Sequence, residues 1–94
     1  MYLSMIIPAY NEATRIGGTL EQFTAYLSGK DWSWEIIVVD DGSDDDTAGV
    51  VNAFIRKYAY PVRLARLDRN TGKGGAVRYG MLREASGQFR FFSD

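Results

Sequence analysis

The stretch IIVVDDGSDDDT, Ile36 to Thr47, sets five carboxylates within seven positions, directly behind four β-branched residues. Carboxylates crowded in this way have three uses. They complement the positive end of a helix, accept hydrogen bonds from a base N–H or a sugar hydroxyl, or hold a hard cation. Asp44, Asp45 and Asp46 read most simply as charges at a helix start. Asp40 and Asp41 precede that helix, and Gly42 permits a sharp turn after them. Asp41 is therefore the candidate ligand contact. Asp40 reads equally well as a strand-end residue that bonds backbone amides.

Three further clusters carry chemistry. In PAYNE, Tyr10 lies two residues past a strand end, where a ring can stack on a flat ligand. Glu12 can reach a sugar hydroxyl, or it can hold its own loop. The alternative for this segment is a capped helix start with a packed tyrosine. The segment NTGKGGAVRYG invites a phosphate reading, with Lys73 and Arg78 nearby and backbone amides opening a helix. Neither standard phosphate motif fits. A Walker loop needs glycine at Leu67 and Ser or Thr at Gly74, and the dinucleotide pattern begun at Gly72 meets Val77 at its last glycine. The alternative is close helix–sheet packing through small residues. Finally, Asp94 ends the chain behind FRFFS, where one carboxylate could ligate a metal only with partners.

Composition narrows the chemistry. The 94 residues carry 11 basic and 12 acidic side chains, a net charge of -1 that gives no general attraction to nucleic acid. There is neither cysteine nor histidine. Disulfides, thiolate metal sites and an imidazole base are excluded, so a bound metal would be a hard cation such as Mg²⁺ or Mn²⁺ on oxygen ligands. No apolar run is long enough to span a bilayer, and the start MYLSMIIPAY is a poor signal peptide, which points to a cytoplasmic location.

The elements that must position these residues follow from periodicity. Residues 3–8 read as a strand ended by Pro8. Asn11 offers an N-cap with Glu12 in the first turn, and Ile16, Leu20, Phe23 and Leu27 recur at helical spacing up to Gly29. Residues 34–39 form the strongest strand, its apolar run matching burial on both faces. Ser43 and Asp46 have capping-box spacing, ahead of a stripe of Ala48, Val51, Ile55 and Tyr58 that Pro61 terminates. Residues 62–67 alternate as a strand with one exposed face. Val77, Met81 and Ala85 make a third helical stripe, and residues 89–92 a fourth strand.

The order β-α-β-α-β-α-β predicts a single α/β domain over residues 1–94, an open, mainly parallel, Rossmann-like sheet with right-handed crossovers. In such a sheet ligands sit beyond the carboxyl ends of the strands at the switch point, where the polar clusters would converge if the first strand is central. The fourth strand ends the chain with an uncovered edge. We expect a piece of a longer protein, prone to pairing between chains at that edge.

Taken in order, IIPAYNE, VVDDGSDDDT, NTGKGGAVRYGM and FFSD resemble the N-terminal half of a family 2 glycosyltransferase of the GT-A fold. The likeness is greatest to polyprenyl- and dolichyl-phosphate sugar transferases, and GKGGAVRYGML resembles the dolichyl-phosphate β-glucosyltransferase branch. The resemblance implies an inverting transfer of a hexose from a nucleotide-diphosphate sugar, UDP-glucose ahead of GDP-mannose. The acceptor would be a polyprenyl or dolichyl phosphate, or another glycan acceptor. Pro8, Tyr10 and Glu12 would line the nucleoside pocket, with Lys73 nearby. Asp41 and the Val39 backbone would contact the base. Asp94 would be the first acid of a D-x-D motif whose Mg²⁺ or Mn²⁺ stabilises the leaving diphosphate. The second acid is absent from these residues, so the 94 residues alone are expected to be inactive, and the full-length protein is expected at the cytoplasmic face of a membrane. Two other classes compete. A non-catalytic nucleotide-binding module would share the pocket without transfer. A phospho-acceptor receiver would need its acid pair after the first strand, where this chain has Pro8-Ala9-Tyr10.

Overall fold

The computed structural model describes residues 2–87 and the strand path of residues 89–92. Four strands, β1 (Tyr2–Ala9), β2 (Ser33–Asp40), β3 (Val62–Arg66) and β4 (Phe89–Phe92), alternate with α1 (Ile16–Ser28), α2 (Thr47–Lys57) and α3 (Lys73–Tyr79). They form one parallel sheet in the order β3-β2-β1-β4. The expected α/β architecture is present, with β1 central and the chain reversing direction across the sheet between β2 and β4.

β2 is the spine. Ile36, Ile37, Val38 and Val39 are all fully buried, because helices cover both faces of a parallel sheet. Ile36 and Val38 pack with Met5, Ile7, Leu20, Val51 and Phe54 beneath α1 and α2. Ile37 and Val39 pack with Ile6, Ala65 and Ala76 beneath α3. β1 runs one residue past Pro8, with Pro8 opposite Val39 and Ala9 opposite Asp40. A proline is tolerated there because residue sides alternate. The Ala9 carbonyl accepts the Asp41 N–H, so Pro8 turns its missing donor toward the β4 side, where described pairing stops at Ile6.

Three local expectations are corrected. Asn11 does not cap α1; that helix starts at Ile16, with Arg15 at the N-cap position and no side-chain cap bond. Asn11 instead adopts φ 52°, which an asparagine tolerates, and its side chain serves another loop. The Ser43–Asp46 capping box does not form either. Asp46 occupies the N-cap position without a cap bond, and the Ser43 hydroxyl accepts a hydrogen bond from Asn11 N–H instead. The third helical stripe is turned by about one position. Ala76 and Gly80 are the buried residues, whereas Val77 and Met81 are half-buried.

Glycine explains that turn. A β-carbon on Gly80 would lie 2.5 Å from Ile6 Cγ2 and 3.2 Å from Val39 Cγ2, so only glycine lets the helix approach the sheet this closely. Residues Gly80–Glu84 then widen into a π-helical turn, closed by the Ala85 N–H to the Gly80 carbonyl at 2.8 Å.

A buried polar network holds the return to β4. The Glu35 carboxylate accepts hydrogen bonds from the Ser4 hydroxyl, from Ser86 N–H and hydroxyl at 2.9 Å each, and from Arg63 at 3.0 Å. Arg63 also pairs with Glu84 at 3.1 Å, and Gly87 N–H reaches Ser4 Oγ at 2.8 Å. Burial alone would raise the Glu35 pKa, but these donors outweigh it and bring the group from 4.5 to about 2.

Candidate functional site

At the carboxyl ends of β1 and β2 the three loops that follow β1, β2 and β3 meet. Between them lies a cleft of about 420 Å³, lined by Pro8, Tyr10, Glu12, Asp41 and Lys73, among others. It lies on the carboxyl side of the reversal point, as open α/β sheets place their ligands. Five of the residues singled out from the sequence thus converge on one wall-to-wall site. Val39 does not line it; its side chain packs on the α3 face of the sheet. Asp94 lies outside the described residues.

The loops are positioned by bonds that cross between them. Asn11 N–H donates to Ser43 Oγ at 2.9 Å, and Asn11 Oδ1 accepts Asp44 N–H at 2.9 Å and Asp45 N–H at 3.4 Å. Glu12 N–H donates to Thr47 Oγ1 at 2.9 Å, and Ala13 N–H to Asp45 Oδ2 at 3.1 Å. Asp45 Oδ1 also accepts the Thr47 N–H at 3.0 Å and the Thr47 hydroxyl. The Thr47 hydroxyl bond is the largest influence on Asp45 and, with the backbone bonds, holds its carboxyl below the usual range. The acid crowd therefore does more than complement a helix. Asp45 ties the start of α2 to the loop that carries Tyr10 and Glu12. That role has no signature in spacing, because its partner is 32 residues away.

Asp40 and Asp41 separate clearly. Asp40 is fully buried, accepts Ser43 N–H on Oδ1 at 3.1 Å, and has Arg66 Nε 3.5 Å from Oδ2. It does not line the cleft, and it acts on the turn after β2. Asp41 is 3% exposed and does line the cleft. Its Oδ1 accepts both the Thr71 N–H and the Thr71 hydroxyl at 2.8 Å, which ties the third loop to the second. Gly42 makes this approach feasible. It has φ 72°, and a β-carbon there would sit 2.5 Å from the Arg69 carbonyl carbon and 2.7 Å from Asn70 N.

Sequence reasoning missed Arg15, Thr19 and Asn70 as cleft residues. Arg15 reaches Glu12 Oε1 at 2.5 Å, a pair at i,i+3 spacing that could have been read from the sequence. No group of three or more acids that could hold a metal forms among the described residues. Asp40 and Asp41 each commit Oδ1 to backbone or hydroxyl donors, and Asp45 commits both oxygens. No helix among them is long and apolar enough to cross a membrane.

Comparison with known proteins accords with this geometry. The family model Glycosyl transferase family 2 matches residues 4–94. The dolichyl-phosphate beta-glucosyltransferase of Dictyostelium discoideum is 44% identical over 87% of this chain and 27% of its own length. The Drosophila melanogaster enzyme of the same name is 44% identical over 98% of this chain and 30% of its own. The chain thus spans under a third of these relatives. Among solved structures, the mannosyltransferase PcManGT from Pyrobaculum calidifontis, in complex with GDP-Man and Mn²⁺, superposes with a TM-score of 0.81 at 27% identity. It covers 94% of this chain and 25% of that one. TarS 1-349 from S. aureus in complex with UDP gives 0.75 at 31% identity, over 100% of this chain and 27% of that one. With its motifs, its strand order and this match across nearly all of its residues, the chain belongs to glycosyl transferase family 2.

Proposed function

We propose that this chain is the nucleotide-sugar-binding part of an inverting hexosyltransferase. Its donor would be UDP-glucose and its acceptor a dolichyl or other polyprenyl phosphate. The observation that carries the reading is the convergence of Pro8, Tyr10, Glu12, Asp41 and Lys73 on one cleft at the carboxyl ends of β1 and β2. Pro8 lines the wall, and the other four would contact the donor. Tyr10, exposed at the rim, offers a ring face to a base. Asp41 has Oδ1 committed to Thr71, and Oδ2 takes no hydrogen bond from the described residues, so it can accept a base N–H. Glu12 accepts a sugar hydroxyl, and Lys73 faces phosphate charge. The names of the relatives favour glucose and a lipid phosphate.

The divalent ion is proposed to bind Asp94 together with acids outside the described residues, and no step is assigned to it. An enzyme of this kind would work on the cytoplasmic face of a membrane. Titration calorimetry on the full-length protein, with Mn²⁺ and either UDP or GDP, tests the reading. Micromolar to millimolar binding of UDP, followed by transfer of labelled glucose from UDP-glucose to a polyprenyl phosphate, is the expected result. Absence of binding by both nucleotides at millimolar concentration overturns it. Binding without transfer to any lipid phosphate or glycan would make the chain a nucleotide-binding module instead.

A further inference from the structure

The Gly-rich loop contributes more than Lys73 to the cleft. We infer that Thr71 is a positioning residue that divides the Asp41 carboxylate between protein and ligand. The inference rests on the reading of the cleft as a nucleotide site.

Three observations combine. Asp41 is buried at the cleft wall, and both Thr71 donors converge on the same oxygen, Oδ1, at 2.8 Å. Asp41 Oδ2 takes no hydrogen bond from the described residues. The loop is also built around this contact. A β-carbon on Gly75 would meet Thr71 Oγ1 at 2.6 Å, and Asn70 Oδ1 accepts Gly72 N–H at 3.1 Å. Gly42, with no β-carbon, admits the Arg69–Asn70 backbone against the turn that carries Asp41.

Two charge-assisted donors on one oxygen fix the plane of the carboxylate and leave the other oxygen as its acceptor. An acceptor held in place discriminates between bases. Uracil and guanine present a ring N–H to it, whereas cytosine and adenine present a ring nitrogen lone pair, which it repels. Thr71 itself is exposed and does not line the cleft, so a purely structural role would show as lost stability without lost selectivity.

The test uses the full-length protein, with UDP, GDP and CDP as probes. Thr71→Val keeps the shape and the backbone N–H but removes the hydroxyl, whereas Thr71→Ser keeps it. We expect Thr71→Val to weaken UDP binding by about tenfold and to narrow the preference for UDP over CDP by a similar factor. Thr71→Ser should stay within about threefold of wild type, with all three melting within a few degrees. Wild-type affinity and selectivity in Thr71→Val would overturn the inference while leaving the cleft's function intact. So would equal loss in Thr71→Ser. Failure of wild type to bind either UDP or GDP would overturn the nucleotide reading, and this inference with it.

Discussion

Replacing Glu35 by glutamine probes the network that closes the sheet on the β4 side. Glu35 is 5% exposed, and its folded pKa of about 2 lies well below the ordinary 4.5. The sign follows from proton binding. Between those values the unfolded chain binds a proton that the folded chain does not, so stability rises with pH across the window. The contribution is complete above about pH 5 and is lost as pH falls toward 2. The gap between the two pKa values corresponds to about 3 kcal/mol. In Glu35→Gln the amide oxygen can take the place that accepts Ser4 and Ser86, but its NH₂ group then faces the Arg63 guanidinium, which loses one charged partner. Arg63 is half exposed and keeps Glu84, so it is not stranded. The variant is therefore expected to be about 2–3 kcal/mol less stable than wild type at pH 7. The difference should shrink to roughly a quarter of that by pH 2.5. Urea unfolding of both proteins from pH 7 down to 2.5, read by circular dichroism, gives the difference at each pH. Taking the difference removes the titration of the other carboxylates. A difference that stays constant across that range would refute the assignment of the stabilisation to the ionised carboxylate.

Other substitutions test the packing and the loops. Gly80→Ala forces a methyl into Ile6 and Val39 and should cost about 1–3 kcal/mol, visible as a lowered thermal midpoint. Asn11→Ala removes the acceptor of the Asp44 and Asp45 amides and places alanine at φ 52°. Faster hydrogen exchange at residues 43–46 is the expected signature, with a loss of about 1–2 kcal/mol. Gly42→Ala should weaken UDP binding more than it lowers the melting point, because its β-carbon pushes Arg69 and Asn70 away from the Asp41 turn.

Much of this was legible in the chain itself. Four β-branched residues in β2 announced burial on both faces, and the alternation of elements announced a parallel sheet with the polar clusters at one end. Tyr10, Glu12, Asp41 and Lys73 were legible as candidates because they lie beyond strand ends, and Pro8 through the resemblance of IIPAYNE; all five line the cleft. What was not legible is tertiary. Ser43 and Asp46 have the spacing of a capping box, yet the Ser43 hydroxyl goes to Asn11, because a partner from the neighbouring loop is better placed than the local one. The third helix buries Ala76 and Gly80 rather than the larger Val77 and Met81, since close approach to Ile6 rewards the absence of a side chain. A periodicity argument that counts large apolar residues cannot see that preference.

The bonds that join the first two loops have a kinetic consequence. Each of those from Asn11, Glu12 and Ala13 spans 32 to 35 residues. None can form until β1 and β2 have come together, so no local fragment contains half a cleft. Loop closure over such distances is paid for by the sheet, so the loop bonds are expected to form after it. A ligand that fills the cleft would then act on a structure that is already past its folding barrier. It would slow unfolding while leaving the rate of folding nearly unchanged.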